Sequence, residues 1–509
     1  MLRGTGSNIY NASLARTLVG LGHEVHLLCQ ERQARDLSFV DAIGSWRDGE
    51  LRIERLREPV RCTAYLPDIG RTLPVYVADE YEGFDAVPFP ELGDPELERY
   101  LTANVEAVRD VVRSARPELA LANHAVMGPA ILARGLAGVV PYAVTVHGSA
   151  LEYVVRPHRE RFLAFAREGL ERAAAVLVGS RHTAESLWEV VPEPWLRART
   201  RLGPPGVDVE AFHPRTRADA AEGLETLVAR LEAGDTATWG GEPGAPDAVR
   251  SIDADDPTVA YVGKLIVSKG VDLLLAAWPL VAERIPGARL CVVGFGSYRD
   301  GLRSLGDALA QGDLAAAREI AERGRELEGG ERGALAYLQA FLDGLTGTER
   351  ERYLRAAAAA FERVHYTGRL EHSDLPDLLP ACDAQVVPST FPEAFGMVAA
   401  EAACCGVLPL SADHSGLREV TDSLAPALDE SIRPLLSFSR GDGAVREIAV
   451  KLVEWLELPL AQREPAAMAL SEAARGMYAW EAVANGVIAA AMGRLDELPR
   501  AAPPPASGV

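Results

Sequence analysis

No apolar run in the 509-residue sequence reaches the roughly 18 residues that a membrane-spanning helix requires. Nor does Met1 open a basic-then-apolar leader of the secretory kind. Cysteine is scarce, and the six present (Cys29, Cys62, Cys291, Cys382, Cys404 and Cys405) form no C-x-x-C pair and no cluster with histidines of metal-binding type. Most lie in apolar stretches, as buried thiols in a reducing compartment do, and a cytoplasmic location is expected. Positive charge is also in deficit. A formal net charge of −21 excludes general affinity for nucleic acid and anionic membranes, though not a local basic patch for a phosphorylated ligand. No Asp-x-Asp pair closes a strand where it could hold a divalent cation, and Asp253-Ala-Asp255 reads as part of a solvated acidic linker. Neither a metal nor another cofactor is expected.

What remains is a chain too long for one hydrophobic core, with 48% apolar and 25% charged residues, the balance of a globular protein of two or three domains. Short apolar runs alternate with amphipathic stretches, the signature of βα units on a mostly parallel sheet. In residues 1–202 a helix over Ile9 to Leu21 is followed by strands over Glu24 to Cys29, Leu119 to Ala122, Tyr142 to Val146 and Ala175 to Gly179. The stretch Glu152 to Ala174 reads as one helix whose arginines form either a solvated face or a patch for an acceptor phosphate or a membrane surface. Only Met1-Leu2-Arg3 precede the turn Gly4-Thr5-Gly6-Ser7, so the strand that normally opens a Rossmann-like half is missing. Either the recorded start falls late or another segment fills the slot. Residues 203–257, rich in Gly, Pro, Asp and Glu, read as a linker with an insertion. Strand and helix alternation resumes over 258–430, interrupted by a helical insertion over about 302–363. Residues 431–497 read as terminal helices returning to the first domain, and 498–509 as a disordered Pro/Ala tail. The expected class is α/β, two doubly wound Rossmann-like domains with helical insertions.

The strongest chemical signal is Pro388-Ser-Thr-Phe-Pro-Glu393-Ala-Phe395-Gly396-Met397-Val-Ala-Ala-Glu401-Ala-Ala-Cys-Cys-Gly406. A strand ends at Pro388 and a helix is expected to open near Ala394, offering N–H groups and a positive dipole end to a diphosphate. Gly396 would let a ligand approach the backbone. Glu393 and Glu401 would stand roughly 12 Å apart along such a helix, one for hydroxyls on each side of a diphosphate. Glu401 sits among Ala and Cys, where a stray carboxylate is costly without a partner. The alternative is an amphipathic helix with a dipole-satisfying Glu393 and a solvated Glu401.

This segment resembles the E-x7-E motif of the group 1 (family 4) retaining glycosyltransferases. Other stretches agree in order: Tyr261-Val-Gly263-Lys264-Leu-Ile-Val-Ser-Lys269-Gly270 resembles the family's V-G-R-L-x-x-x-K-G loop, with Lys264 where arginine is usual. Val293-Gly294-Phe-Gly296 resembles its V-G-x-G loop, Thr367-Gly368-Arg369-Leu370 its turn against the donor base, and Gly203-Pro-Pro-Gly206-Val-Asp208 its domain crossing, with Pro205 where Asn is common. Val144-Thr-Val-His147-Gly148 and Tyr478-Ala-Trp480 resemble the strand end at the reaction centre and the returning terminal helix. The resemblance implies a GT-B enzyme, its two domains facing a central cleft, that moves a sugar from a nucleotide-sugar donor to a sugar, lipid or small-molecule acceptor. It implies retention of anomeric configuration without a metal, and at most peripheral membrane contact. Lys264 and Lys269, with the Gly6 backbone, would neutralise the diphosphate. Glu393, with the backbone of Phe395, Gly396 and Met397, would bind the transferred sugar, Glu401 the ribose diol, and His147 would stand beside the anomeric carbon. Gly263, Gly294, Arg369 and Leu370 complete the implied donor site. As residues alone, Gly6 reads equally as a tight turn, the lysines as solvated, and His147 or His124 as core histidines. A GT-B phosphorylase or epimerase, or a non-catalytic donor-binding scaffold, are the competing classes.

Overall fold

The structure, a computed structural model, describes residue 2 and residues 6–76, 83–234, 241–253 and 256–501. Two compact units divide it: residues 1–206 with 478–509, and residues 207–477.

The N-terminal unit opens with the helix Gly6–Gly20. Gly4 and Thr5 of the Gly-rich turn lie outside the described residues. Ten strands follow: β1 (Val25–Leu28), β2 (Ala42–Arg47), β3 (Glu50–Arg55), β4 (Cys62–Leu66), β5 (Thr72–Val75), β6 (Asp85–Pro88), β7 (Ala120–Asn123), β8 (Tyr142–Val146), β9 (Ala175–Val178) and β10 (Thr200–Leu202). They form not one sheet but two four-stranded ones, ordered β1-β4-β2-β3 and β10-β9-β8-β7, beside a β5-β6 pair. Among the described residues β1 and β7 are therefore edge strands, each with a single neighbour. Strands β8 and β9 are buried at every position. Parallel strands covered on both faces read as continuous apolar runs, which is why they were legible. The antiparallel hairpin β2-β3 was not expected, although its turn residues Asp48 (φ 54°) and Gly49 (φ 77°) have the Asp-Gly chemistry of a two-residue hairpin loop.

The stretch Glu152 to Ala174 is not one helix. Residues Leu151–Val155 form a π-helical turn, and a separate helix runs Arg159–Glu171. Four of its five arginines, all but Arg159, are engaged within the chain: Arg156 with Glu152 (2.9 Å) and Glu189 (3.0 Å), Arg161 with Asp94 (2.9 Å), and Arg167 with Glu193 (2.6 Å). Arg172 donates to the Ala133 carbonyl.

In the second unit, strands β11 (Thr258–Val262), β12 (Arg289–Val293), β13 (Val364–Gly368), β14 (Ala384–Val387), β15 (Leu408–Ala412) and β16 (Ser437–Phe438) make one parallel sheet ordered β13-β12-β11-β14-β15-β16. Counted within the unit this is 3-2-1-4-5-6, the doubly wound order whose direction reverses between β11 and β14. Four helices, Arg299–Ala310, Leu314–Arg323, Ala336–Gly344 and Gly347–Phe361, fill the expected insertion. They dock on the helix Val271–Arg284: Tyr353 OH donates to Ala276 O (2.9 Å) and Trp278 Nε1 to Ala360 O (3.2 Å), and both rings are fully buried.

The division corrects three sequence boundaries. Residues from Val207 onward are part of the second unit rather than a free linker. There the helix Arg217–Glu232 buries Leu224, Leu227 and Leu231, while Arg230 bonds Asp374 (3.2 Å) and Asp377 (2.5 Å). The sheet continues to β16, past residue 430. The helices Ala444–Glu457 and Leu460–Tyr478 belong almost wholly to the second unit, and only Trp480–Ala491 packs in the first. Gly/Pro content marks chain that can turn, and it does not report whether the intervening apolar residues find a core. No helix among the described residues is long and apolar enough to cross a membrane. Residues 502–509 of the expected tail lie outside the described residues.

Candidate functional site

In open α/β sheets ligands bind beyond the carboxyl ends of the strands, at the point where the strand order reverses. In the second unit that point lies between the loops leaving β11 (residues 263–270) and β14 (residues 388–396). The two loops touch. Thr390 N donates to Ser268 O (2.9 Å), and a Cβ built on Gly270, which holds φ 65°, would lie 2.0 Å from Pro388 O. Their side chains meet too: the Lys269 ammonium bonds Glu393 Oε1, joining residues 124 positions apart.

Glu393 is held from three further directions. Ser389 Oγ donates to its Oε1 (2.6 Å), its backbone N–H donates to Ser415 Oγ (2.9 Å), and its carbonyl accepts from Gly416 N (2.9 Å). His414 bridges the two serines, with Nε2 at 2.7 Å from Ser389 O and Nδ1 at 2.9 Å from Ser415 Oγ. The carbonyl requires Nε2–H, which leaves Nδ1 to accept from the Ser415 hydroxyl. Sequence reading missed Ser389, four residues from Glu393 in the same loop, and also His414 and Ser415, which reach Ser389 and Glu393 only once β14 and β15 are side by side.

Lysine supplies a signal that was in the sequence and unread. It occurs only at Lys264, Lys269 and Lys451, all other members of the 52 Lys and Arg residues being arginine. Lys451 pairs with Glu447 (2.8 Å). The other two share the loop after β11, where a compact ammonium with three rotatable donors differs from a planar guanidinium. Lys264 is exposed and has no partner among the described residues.

The helix expected near Ala394 opens at Met397 and runs to Cys404, its first carbonyl acceptor being Gly396 O. Glu393 therefore precedes the helix by a loop, and a straight helical rise does not set its distance from Glu401. Gly396 also answers to packing: a Cβ there would meet Leu417 Cδ2 at 3.0 Å and Val420 Cγ2 at 3.3 Å, so its bare side faces the helix Ser415–Leu424. Phe395 and Met397 flank it, both partly exposed. Glu401, only 3% exposed, bonds His372 Nε2 through Oε1 (2.8 Å). That bond raises the His372 pKa, against the opposing effect of burial.

The neighbouring loops are tied backbone to backbone. Gly263 N donates to Val293 O (3.0 Å), Gly294 N to Gly368 O (2.8 Å) and Leu265 N to Phe295 O (2.7 Å). Arg369 pairs with Glu371 (3.0 Å) and lies over the Phe295 ring, and Leu370 beside it is partly exposed. Gly241 bridges to Gly368, and Glu242 next to it bonds Arg299 and Arg303 (2.6 Å each).

In the N-terminal unit His147 follows β8 and His124 follows β7. His147 Nε2 lies 3.0 Å from Asn123 Oδ1, the His124 ring is 5.1 Å away and the Tyr10 ring 4.9 Å. Burial pushes the His147 pKa down to about 4, so the imidazole is neutral and Nε2–H donates to the amide oxygen. Asn123 was not anticipated. Gly6 is the first residue of its helix. Among the described residues no three His, Cys, Asp or Glu side chains are grouped as metal ligands.

The Glycosyltransferase Family 4 model matches residues 4–211, and the Glycosyl transferases group 1 model matches residues 341–425, which hold Glu393 and Glu401. Through these two matches the chain is similar to the group 1 (family 4) glycosyltransferases. It is 32% identical over 138 residues to the GDP-mannose-dependent α-(1-6)-phosphatidylinositol monomannoside mannosyltransferase of Mycobacterium tuberculosis, covering 26% of this chain and 35% of that one. To the D-inositol 3-phosphate glycosyltransferase of Segniliparus rotundus it is 27% identical over 288 residues, 56% of this chain and 45% of that one. The chain thus spans about a third to under half the length of these relatives. Sucrose-phosphate synthase from Thermosynechococcus elongatus superposes with a TM-score of 0.52 at 20% identity, over 97% of this chain and 93% of its own. Anabaena HepE in complex with UDP does so with a TM-score of 0.51 at 14% identity, over 93% and 100%. The fold is GT-B.

Proposed function

We propose that this protein transfers a sugar from a nucleoside-diphosphate sugar to an acceptor, retaining the configuration at the anomeric carbon. The observation that carries the reading is the Lys269–Glu393 pair at the strand-order reversal, with Lys264 unengaged in the same loop. An ammonium has three donors, so Lys269 can keep one on Glu393 and offer the others to a diphosphate oxygen. Glu393 then faces hydroxyls of the transferred sugar, and Glu401 takes the ribose diol. The bond from the anomeric carbon to the diphosphate oxygen breaks as the acceptor oxygen bonds that carbon from the same face. The acceptor proton passes to the departing diphosphate. Such a reaction depends on stabilising the growing negative charge more than on a dedicated base. From the N-terminal unit, His147 and the Gly6 backbone are the residues assigned to the reaction.

The test is calorimetric titration of the full chain with GDP, UDP and ADP and their sugars, followed by turnover with the sugar donor that binds. The M. tuberculosis relative uses GDP-mannose, which places GDP first in the panel. Binding of inorganic phosphate and disaccharide instead would identify a phosphorylase. Donor binding without turnover on any acceptor would identify a scaffold.

Glu401→Ala is expected to raise the donor KM roughly tenfold to a hundredfold with turnover nearly kept, because a carboxylate on the ribose acts on ground and transition states alike. A collapsed turnover at unchanged KM would place Glu401 at the reacting centre instead. Activity is also expected to survive excess EDTA, since lysines supply the countercharge to the diphosphate. Loss on chelation that magnesium or manganese restores would overturn the metal-free mechanism.

A further inference from the structure

Glu401 belongs to the helix Met397–Cys404, whose other buried members are Ala399, Ala400, Ala402, Ala403 and Cys404. A carboxylate in such company is costly unless it is hydrogen-bonded. Its bond comes from outside the helix, from His372 Nε2 on Oε1 at 2.8 Å. Oε2 carries no protein hydrogen bond among the described residues. The histidine is itself placed. It follows the Thr367–Leu370 turn at the end of β13, its ring lies 5.2 Å from that of Phe212, and 47% of its side chain remains exposed at the rim. Two strands, β13 and β14, thus deliver a rim imidazole and a buried carboxylate to one point, and the imidazole occupies only one carboxylate oxygen.

We propose that His372 is a positioning residue for the donor. By holding Oε1 it fixes the rotation of the Glu401 carboxylate and leaves Oε2 free to accept from the ribose diol of a nucleoside diphosphate. The inference rests on the reading of Glu401 as the ribose ligand, and the experiment separates the two. The charged groups facing His372 are Glu401 from the 397–404 helix and Asp208 from the chain beside Phe212. Its sequence neighbours Glu371 and Asp374 are engaged by Arg369 (3.0 Å) and Arg230 (3.2 Å). Both facing groups are anionic, and the Glu401 hydrogen bond is the main cause that raises the His372 pKa above its ordinary value. The bond is therefore charge-assisted below that raised pKa and weakens as pH climbs through it.

Titration calorimetry of the full chain with GDP, UDP and ADP at pH 6.5 and 8.5 tests this. The variants are His372→Ala, His372→Gln, Glu401→Ala and the double Glu401→Ala/His372→Ala. His372→Ala is expected to weaken nucleoside diphosphate binding roughly tenfold, the scale of one hydrogen bond to a charged group. His372→Gln, whose amide N–H reaches as Nε2–H does, is expected to recover most of that loss. The wild type should bind more weakly at pH 8.5 than at 6.5, and His372→Gln should lack that difference beyond any titration of the nucleotide common to both. The double variant should bind no more weakly than Glu401→Ala. If His372→Ala binds as the wild type does, or if the two single losses simply add, the inference is overturned while the donor site stands. If Glu401→Ala also binds normally, or the wild type binds none of the three nucleotides, the functional reading falls and takes this one with it. Should His372→Ala fail to fold, the wild-type pH difference and its absence in His372→Gln decide the matter.

Discussion

Lys269→Ala is expected to lower turnover at saturating donor by about a hundredfold to a thousandfold, while donor affinity falls by a smaller factor. Negative charge on the diphosphate grows as the glycosidic bond breaks, so a cation aimed at it stabilises the transition state more than the bound donor. The substitution acts twice, because Lys269 also bonds Glu393 Oε1. Without it the carboxylate keeps the Ser389 hydroxyl but loses its countercharge. Lys269→Ala and Glu393→Gln should therefore be non-additive, the double variant losing less than the product of the singles. Lys264→Ala should also lose turnover, roughly tenfold to a hundredfold. Its ammonium is exposed and has no partner among the described residues, as the proposed role requires, and Lys264→Arg should keep part of the activity. If both alanine variants turn over at the wild-type rate with saturating donor, the lysines are surface charges and the electrostatic account is wrong.

Gly270→Ala is expected to lower the stability of the second unit by about 2–4 kcal/mol. Two independent costs fall on one methyl group. Gly270 holds φ 65°, a left-handed conformation that disfavours any Cβ, and that Cβ would lie 2.0 Å from the Pro388 carbonyl oxygen. The oxygen is backbone, so no rotamer change relieves the overlap. The loops after β11 and β14 must separate, and Lys269 then moves from Glu393. The expected result is a melting transition several degrees lower, together with weaker nucleoside diphosphate binding. Gly287→Ala serves as the control, since a Cβ there meets nothing within 4 Å and the glycine holds no positive φ. If Gly270→Ala melts with Gly287→Ala, the two loops are not packed as described.

Much of the architecture was legible because burial leaves a mark in composition. Strands β8, β9, β11, β12, β14 and β15 are buried at nearly every position, so each is a largely apolar run that needs no partner to be recognised. The lysines of one short loop and the Glu393–Glu401 spacing were readable for a related reason: they are local patterns. Elements short of burial were harder to see. Strand β16 has two residues, β3 is exposed at nearly every position, and neither announces itself by apolar content.

The amino-acid sequence by itself determined the α/β class and the likeness to the group 1 (family 4) glycosyltransferases, and it named candidate residues for the chemistry, since these depend on residue type and local order. The tertiary structure alone decided what those residues touch. His372 and Glu401 are 29 residues apart, Glu393 and Ser415 22, His147 and Asn123 24, and Lys269 and Glu393 124. Each pair meets because parallel strands bring their carboxyl ends to one edge of a sheet. The intervening chain length carries no record of that meeting, because a crossover of any length ends at the same edge. Packing likewise moved the helix start from Ala394 to Met397 and gave Gly396 a neighbouring helix instead of a bare approach. It also drew residues 207–257 into the second unit, where Leu224, Leu227 and Leu231 found a core that Gly and Pro content could not foretell.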